Sequence, residues 1–307
     1  MSLRPCDINE KKTLQHTVLE VRSLLKETYK YKSVQSQSIK LLAEFFKVTK
    51  ESFYKEPERL LTAKEEILLS VLLSRLQNKE PLAYILSYQD FWTSRFFVNP
   101  DVLIPRPETE LLVEKALLFL GDLKKKSSSL SFKALDLASG SGCVGLSLLK
   151  EIPSLYCDFW DICSKALDVS QKNSELLQVD QERLKFFCKD ILSSKSWDKA
   201  SKYDILISNP PYISKDEKSE VGEEVFCFEP HKALFAKNNG LEFYHALTQF
   251  APLHLNENGA LLVEVGYKQA SFVAKLFEEA GFVDLEIFSD FNGHPRVVKG
   301  VLRQFKR

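Results

Sequence analysis

An apolar run near the middle of the chain ends in two prolines, within DILISNPPYIS (residues 204–214). Proline has no N–H group to donate, and Pro211 disfavours helical geometry at Pro210, so a strand should end here and continue as a stiff loop. The loop Asn209–Tyr212, called the NPPY loop, suits a planar amide nitrogen, which is a poor nucleophile because its lone pair is delocalised. The Asn209 side-chain oxygen and the Pro210 carbonyl would accept both hydrogens of that nitrogen, and Tyr212 offers a flat ring for stacking. The alternative is a loop that only terminates the strand.

A glycine-containing turn lies earlier in the chain, between a predicted strand and a predicted helix. Small residues here let the backbone approach a ligand closely, and the N-terminus of the following helix offers free N–H groups. Many such turns need glycine for geometry alone, so the pattern by itself is weakly specific. This turn, called the glycine loop, reads Asp136-Leu137-Ala138-Ser139-Gly140-Ser141-Gly142.

Two acidic residues follow further strand-like runs. Asp161 ends LYCDFWD, where its carboxylate could accept both hydroxyls of a ribose. It could equally be an acid at the N-terminus of the helix expected from about Ser164. Asp190 follows RLKFFCK and could accept from an adenine amino group. Because ligands of open α/β sheets bind beyond the carboxyl ends of the strands, both acids and the two loops are expected at one edge.

The elements that must position these residues alternate between strand and helix from residue 133 onward. Helical patterns cover 143–150, 164–177, 240–254 and 267–280. The seven predicted strands are FKALDL, LYCDFW, RLKFFC, YDILIS, GALLVEV, FVDLEIF and RVVKGVL. This alternation predicts an α/β fold with a mostly parallel seven-stranded sheet covered on both faces, and the last two strands should form a terminal antiparallel pair.

The N-terminal part of the chain has a different pattern. Residues 13–80 have the apolar spacing of helices, and Thr62 with Glu65 predicts a capping box. Residues 88–104 are aromatic and β-branched, and they predict a β-hairpin with a turn signal at 99–101. The predicted organisation is a small all-helical domain (1–87), a β-hairpin linker (88–104) and the α/β domain (105–307).

Composition excludes several classes of protein. Lys and Arg number 42, as do Asp and Glu, so no net charge attracts the chain to nucleic acid or to an anionic membrane. The six cysteines form no C-x-x-C pair, so neither a metal site nor a disulfide framework is expected. The first twelve residues are too polar for a signal peptide, and no apolar run is long enough to span a membrane. We therefore expect a cytoplasmic protein without a membrane partner.

The glycine loop, Asp161 and the NPPY loop together resemble a Rossmann-like class I methyltransferase that uses S-adenosylmethionine to methylate a planar nitrogen. The (D/N)PPY motif is shared by adenine-N6, guanine-N2 and glutamine-N5 enzymes. A wider match is similar to the release factor glutamine methyltransferases (HemK/PrmC family). It consists of EPLAYIL, VLIPRPETELLVE (102–114), SNPPYI, FEPHKAL (228–234), LVEVGYKQA (262–270) and D-x-x-G-H-P-R-V-V (290–298).

This resemblance implies methylation of the glutamine side-chain nitrogen in the Gly-Gly-Gln loop of peptide chain release factors, by a monomer. The helical domain would recognise the release factor. A nucleic-acid amino-group methyltransferase is the alternative, but the balanced charge and the absence of a basic tract beside the NPPY loop count against it. A non-catalytic binding module is a third reading.

The resemblance also implies roles for individual residues. Asn209 would be both catalytic and substrate-binding together with Pro210, Pro211 and Tyr212, and would also border the cofactor. Phe97 would line the methyl-transfer site, and Arg106 and Glu229 would stabilise the substrate pocket. The remaining cofactor-binding residues would be Asp136, Ala138, Ser139, Gly140, Ser141, Gly142, Asp161, Asp190 and Ile191.

The chain departs from the family pattern at three positions. Ala138 and Ser87 replace glycines, and Ile191 replaces a frequent aromatic residue, so it can pack on adenine but cannot stack. If φ at Ala138 is positive, we expect strain of about 1 kcal/mol that weakens cofactor binding without abolishing it. The charged segment KDEKSEVGEE (215–224) is either a solvated loop or a segment that closes over the bound substrate.

Overall fold

A computed structural model describes residues 11–29, 34–126, 131–197 and 202–303. Its contacts divide the chain into two compact units, Met1–Ser87 and Tyr88–Arg307. Cys6 lies outside the described residues, and the described cysteines are free thiols. Among the described residues, no helix has both the length and the apolar character needed to cross a membrane.

The first unit is helical, with α1 (Leu14–Tyr29), α2 (Val34–Phe46), α3 (Ser52–Lys55), α4 (Ala63–Gln77) and α5 (Leu82–Leu86). Its core contains Leu14, Val21 and Leu25 of α1 packed with the apolar face of α4. The predicted capping box is confirmed, since the Thr62 hydroxyl accepts from the Glu65 N–H and the Glu65 carboxylate accepts from the Thr62 N–H. The Arg59 guanidinium bonded to Glu65 lowers the pKa of this carboxyl to about 2.

The second unit begins with a hairpin of β1 (Tyr88–Phe91) and β2 (Ser94–Phe97), which pair antiparallel. The chain reverses at Trp92-Thr93, so the turn predicted at 99–101 is wrong as the hairpin turn. Asn99 instead forms a separate turn, in which its side-chain oxygen accepts from the Asp101 N–H at 3.1 Å. Because Phe91 and Phe96 are buried in the core of the second unit, the hairpin is part of that unit.

The large sheet has the order β10-β11-β9-β6-β3-β4-β5. Strands β3 to β6 and β9 are parallel, and β11 runs antiparallel to both β9 and β10. The predicted fold is therefore confirmed: a mostly parallel seven-stranded sheet with a terminal antiparallel pair. Its strands are β3 (Phe132–Leu137), β4 (Leu155–Asp161), β5 (Leu184–Cys188), β6 (Tyr203–Ser208), β9 (Leu255–Glu264), β10 (Phe282–Ser289) and β11 (Pro295–Leu302); β7 (Ile213–Ser214) and β8 (Phe235–Ala236) pair outside it.

Helices cover both faces of this sheet. Alternate residues of β6 point to opposite cores: Ile205 and Ile207 pack on the face of α6 and α7, and Leu206 on the face of α11 and α12. Burial on both faces explains why the central strands are almost continuously apolar. The helices of this unit are α6 (Glu110–Lys126), α7 (Cys143–Glu151), α8 (Ser164–Leu176), α9 (Glu223–Phe228), the short turn α10 (Lys237–Gly240), α11 (Glu242–His254) and α12 (Ala270–Glu279).

Candidate active site

The glycine loop connects β3 to α7. The side chain of Asp136, near the end of β3, stabilises this connection. The Asp136 carboxylate is 2% exposed and accepts from the Gly145 N–H of α7 at 2.9 Å. Burial raises the pKa of Asp136 to about 7, against the stabilising bond from Gly145. Asp136 thus supports the loop, and its direct contact with a cofactor stays a prediction.

Three residues of the glycine loop have left-handed backbone conformations: Ala138 (φ 57°), Gly140 (φ 54°) and Gly142 (φ 75°). A Cβ atom at Gly142 would lie 2.2 Å from the Ser170 hydroxyl, whereas a Cβ at Gly140 would meet nothing within 4 Å. The loop is therefore tightly packed at Gly142 and open at Gly140. Because φ is positive at Ala138, we expect the backbone strain there that the sequence analysis predicts for a positive φ.

Ser87, at the end of α5, also has a positive φ. Its φ is 60°, in the left-handed conformation that commonly terminates helices. Glycine adopts this conformation without a Cβ penalty, which explains why the family pattern has glycine at this position. At both departures from glycine, then, an L-residue occupies a left-handed conformation.

Asp161, the last residue of β4, is hydrogen-bonded to the glycine loop. Its Oδ2 accepts from the Gly140 N–H at 2.9 Å, and its Oδ1 accepts from the Cys163 N–H, also at 2.9 Å, just before α8. Burial raises the pKa of Asp161 above its usual range, against the hydrogen bonds from these backbone groups. The carboxylate therefore caps the approach to α8 and braces the loop. Binding of a ribose stays a prediction.

Asp190 and Ile191 follow β5 in a turn. The Asp190 Oδ1 accepts from the Leu192 N–H at 2.9 Å. The Ile191 side chain is 6% exposed and packs in the core with the residues around Trp197, whose indole N–H donates to the Ile191 carbonyl at 3.0 Å. Asp190 is thus partly engaged by its own turn, and Ile191 presents little surface to a ligand in this structure.

The NPPY loop begins where β6 ends, and side chains from other elements hold it. The Asn209 Nδ2 donates to the Thr109 hydroxyl at 3.1 Å. The Tyr212 hydroxyl donates to Glu264 Oε1 at 3.4 Å, and Gln269 Nε2 donates to the Tyr212 carbonyl at 3.0 Å. Within the described part of the chain, no donor is paired with Asn209 Oδ1 or with the Pro210 carbonyl. Both acceptors named from the sequence are thus unpaired in this part of the chain, and their contact with a ligand stays a prediction.

Phe97 is held beside the glycine loop by Asn173, a residue that was not predicted from the sequence. The Asn173 carboxamide of α8 accepts from the Phe97 N–H at 2.6 Å and donates to the Phe97 carbonyl at 3.0 Å. The same side chain donates to the Ser141 carbonyl at 2.9 Å. Asn173 is fully buried. The sequence signal that could have identified Asn173 is an amide side chain on the apolar face of the predicted helix 164–177.

Arg106 and Glu229 form an ion pair between the segment before α6 and the residue after α9. The Glu229 carboxylate also accepts from the Ile104 N–H at 3.1 Å. Burial raises the pKa of Glu229, and the attraction of Arg106 opposes this shift. The pair connects two segments distant in sequence. Its role in bracing a substrate pocket stays a prediction.

Thr109 and Glu264 are further residues of this site, and the sequence motifs that contain them did not predict a role for either. Both are 2% exposed and contact the NPPY loop. Burial raises the pKa of Glu264 to about 7, against the charge of Arg296 and the hydrogen bond from the Tyr212 hydroxyl. An acid at the end of an otherwise apolar strand was the signal that could have identified Glu264.

The strand-end groups fit a nucleoside-based cofactor with an amino acid tail. The Ser139 hydroxyl is buried without a partner among the described residues, and the face of the loop at Gly140 is open. The Asp161 carboxylate retains lone pairs beyond its two backbone bonds. The described residues contain no group of His, Cys, Asp and Glu that could hold a metal ion.

The segment 215–224 is ordered into short helical elements. Residues Lys215–Glu220 form a 3-10 helix whose N-terminus has a capping box of Ser214 and Glu217. Gly222 then precedes α9. This segment follows the NPPY loop after the two residues of β7, and closure over a substrate stays a prediction.

Comparisons with known proteins identify the family of this chain. The family model of the methyltransferase small domain matches residues 114–240, and that of the PrmC N-terminal domain matches residues 18–86. A release factor glutamine methyltransferase of Flavobacterium psychrophilum is 34% identical over 87% of this chain and 92% of its own length. A bifunctional methyltransferase of Rickettsia bellii is 34% identical over 82% of this chain, which spans only 48% of that protein.

Among solved structures, a methyltransferase from Pyrococcus furiosus aligns over 76% of this chain and 100% of its own, with 12% identity and a TM-score of 0.48. The identity and coverage of the Flavobacterium relative, together with the two matched domains, confirm the resemblance found in the sequence. The chain belongs to the family of release factor glutamine methyltransferases.

Proposed function

We propose that this protein transfers a methyl group from S-adenosylmethionine to the side-chain amide nitrogen (N5) of the glutamine in the Gly-Gly-Gln loop of a peptide chain release factor. The observation that carries the proposal is the NPPY loop. It presents the Asn209 side-chain oxygen and the Pro210 carbonyl at the strand edge that also holds the glycine loop.

Cofactor binding is assigned to the glycine-loop edge. The backbone of residues 138–142 would approach the amino acid tail, Asp161 the ribose, and Asp190 with Ile191 the adenine. When bound there, S-adenosylmethionine supplies an electrophilic methyl group on a positively charged sulfur. Phe97, held to Ser141 through Asn173, would limit the access of water to this point.

Substrate binding is assigned to the NPPY loop. The Asn209 Oδ1 and Pro210 carbonyl would each accept one N–H of the glutamine amide, and the Tyr212 ring would stack on its plane. Proline rigidity and buried packing of both prolines keep the Pro210 carbonyl in place. The nitrogen would gain a methyl group as the methyl–sulfur bond breaks, with the electron pair left on the sulfur, and it would lose one proton to solvent. No base is needed beforehand, because the proton becomes acidic only as the new N–C bond forms.

The remaining assignments concern the partner. The helical unit Met1–Ser87 would recognise the folded release factor, while the ion pair of Arg106 and Glu229 would brace the pocket that admits the loop. Lys plus Arg equal Asp plus Glu at 42 each, which favours a protein partner over nucleic acid. We propose a cytoplasmic enzyme that acts as a monomer.

The test is methyl transfer from labelled S-adenosylmethionine to a purified release factor, beside a variant of that factor with Ala for the glutamine of its Gly-Gly-Gln loop. Label on the unchanged factor alone is expected. Label on both factors would show a different acceptor atom. Label on neither, with cofactor binding intact by calorimetry, would contradict the proposed substrate.

A further inference from the structure

The end of the NPPY loop is enclosed by a turn with left-handed backbone. Tyr212 leads into β7, which pairs in parallel with β8, and β8 leads directly into residues 237–240. Three consecutive residues there have a positive φ, namely Asn238 (53°), Asn239 (53°) and Gly240 (82°), and they are called the left-handed turn. Gly240 lies so close to the NPPY loop that a Cβ atom on it would be 2.1 Å from the Tyr212 carbonyl oxygen.

The Gln269 carboxamide is hydrogen-bonded to both partners of this contact. Its Nε2 donates to the Tyr212 carbonyl at 3.0 Å and to the Asn239 carbonyl at 3.3 Å, and its Oε1 accepts from the Gly266 N–H at 3.2 Å. A carbonyl can only accept and a peptide N–H can only donate, so a single orientation of the amide satisfies all three partners. Gln269 therefore joins the NPPY loop to the left-handed turn and to the segment that follows β9.

The conformation of the left-handed turn is unfavourable in itself. Left-handed backbone costs an L-residue free energy, and single residues rather than runs of residues usually adopt it. The side chains of Asn238 and Asn239 are exposed, so their packing does not account for the conformation. Strained backbone persists where the surrounding structure requires it, and such places are commonly functional sites. Here the strained residues bring a carbonyl and a glycine against the NPPY loop.

The two ends of the NPPY loop are held by different side chains. At the first end, Asn209 bonds the Thr109 hydroxyl at 3.1 Å. At the other end, the Tyr212 hydroxyl is 3.4 Å from Glu264, and the Tyr212 carbonyl is 3.0 Å from Gln269 Nε2. The bond from Gln269 is thus the shorter of these two side-chain contacts with Tyr212.

We propose that Gln269 and Gly240 are positioning residues: they fix the Tyr212 carbonyl and thereby hold the NPPY loop in the conformation that would bind the glutamine amide. Both residues act through the loop, so the inference rests on the proposed function. A displacement of the Tyr212 peptide would also move the Tyr212 ring and the nearby Pro210 carbonyl relative to the reacting nitrogen. An error of about 1 Å in such geometry can slow catalysis about 100-fold.

The first test adds one methyl group at Gly240. In Gly240→Ala the new Cβ would lie 2.1 Å from the Tyr212 carbonyl oxygen and 2.5 Å from Gln269 Nε2, so the loop must shift. We expect kcat for methylation of the release factor to fall about 30- to 100-fold. The dissociation constant of S-adenosylmethionine, measured by calorimetry, should change by less than about threefold, because the glycine loop is unaltered.

Gly281→Ala is the matched control. Its φ is 86°, against 82° for Gly240, so an added methyl group causes similar backbone strain. Nothing lies within 4 Å of a Cβ at Gly281, which precedes β10 at the edge of the sheet opposite to the NPPY loop. Both variants should lose thermal stability through strain, but in Gly281→Ala kcat should stay within about threefold of the wild type.

Gln269→Met is the second variant, and its effect does not depend on backbone strain. Methionine has a similar length but cannot donate to the carbonyls of Tyr212 and Asn239. We expect kcat to fall about tenfold, with the thermal midpoint lowered by no more than a few degrees. The affinity for S-adenosylmethionine should again stay within about threefold of the wild type.

Three outcomes would overturn the inference. If kcat of Gly240→Ala equals that of Gly281→Ala, the close contact with Tyr212 does not position the loop. If kcat of Gln269→Met stays within about twofold of the wild type, the hydrogen bonds of the carboxamide are not needed. If cofactor affinity falls as much as kcat in either variant, the substitution disrupts the whole site. The wild-type enzyme is assayed first: if it binds the cofactor but fails to methylate the release factor, the proposed function itself is wrong, and this is known before any variant is compared.

Discussion

The glycine loop and the NPPY loop lie at the same edge of the sheet but are stabilised in different ways. The glycine loop is bent by left-handed conformations at three residues, and its peptide groups bond the side chains of Asp161 and Asn173. The NPPY loop depends on side chains from outside it, namely Thr109, Glu264 and Gln269. One half of the site is held mainly through its peptide groups, and the other half mainly through the side chains of Asn209 and Tyr212.

This difference predicts how the two halves respond to mutation. Changes in the glycine loop should alter the folding stability and the affinity for the cofactor, because they distort a backbone that the cofactor must approach. Changes around the NPPY loop should alter kcat and leave cofactor affinity almost unchanged, because they affect how the reacting nitrogen is held.

The largest effect is expected for Asn209→Ala. Loss of the Oδ1 acceptor should lower kcat by about 10²- to 10³-fold, with the dissociation constant of S-adenosylmethionine changed by less than about threefold. The measurement combines single-turnover methyl transfer with calorimetry. Asn256→Ala is the control, since Asn256 bonds Asp204 at 2.8 Å near the opposite end of β6 and should leave kcat unchanged. A loss of less than about tenfold in Asn209→Ala would contradict the role of Asn209 in holding the amide.

Gly142→Ala should distort the glycine loop. Its Cβ would lie 2.2 Å from the Ser170 hydroxyl, and φ is 75°. Strain and displacement together should lower the free energy of unfolding by about 2 kcal/mol and weaken cofactor binding. Gly121→Ala is the control: an added Cβ there meets nothing within 4 Å on α6, and alanine should stabilise the helix by up to about 1 kcal/mol. Urea unfolding checks both, and equal stability of the two variants would contradict the packing at Gly142.

A smaller effect is expected from pH through Glu264. Burial raises its pKa to about 7; Thr109, Tyr212 and Arg296 lower it, while Glu108 raises it further. Below that pH the protonated carboxyl no longer attracts the Tyr212 hydroxyl as an anion, so Tyr212 is held less firmly in the NPPY loop. We therefore expect kcat to fall as pH is lowered through the pKa of Glu264 in the wild type, and not to follow this titration in Glu264→Met.

Asp136 titrates in the same range, because burial raises its pKa to about 7 as well. Asp136→Asn should therefore be compared at saturating cofactor, where the fall of kcat should persist. Stability should respond in the opposite direction. The folded-state pKa of Glu264 is raised from 4.5, so its contribution to stability is complete below that pH and is lost as pH rises through 7. A kcat that rises as pH is lowered would contradict the role of the ionised Glu264 carboxylate in holding Tyr212.

The smallest effect is expected for Ala138→Gly. Relief of strain at φ 57° is worth about 1 kcal/mol, and the greater freedom of glycine in the unfolded chain offsets part of it. We expect a net stabilisation below about 1 kcal/mol and an affinity for S-adenosylmethionine up to about fivefold higher. Ala166→Gly in α8 is the control and should destabilise by about 1 kcal/mol. A destabilised Ala138→Gly protein would show that the left-handed alanine is unstrained.

Much of the fold followed from local patterns in the sequence. The α/β fold and its sheet composition were predicted correctly, because strands buried on both faces leave apolar runs that alternate with amphipathic helices. The capping box at Thr62 was also correct, because its residues are three positions apart. The hairpin turn was misplaced, because Asn99-Pro100-Asp101 forms a turn of its own while the burial of Phe91 and Phe96 sets the strand pairing.

For the site, the sequence by itself determined which residue types could do the chemistry: the small residues of the glycine loop, the acid at Asp161 and the amide of Asn209. Only the tertiary structure decided how they are held. Asn173 reaches Phe97 across 76 positions of sequence, and Asn209 reaches Thr109 across 100. A hydrogen bond requires two atoms within about 3 Å, and no spacing rule along the chain encodes a contact between segments so far apart. Backbone strain at Ala138 and the orientation of the Asn209 amide are likewise set by neighbours that only folding brings together.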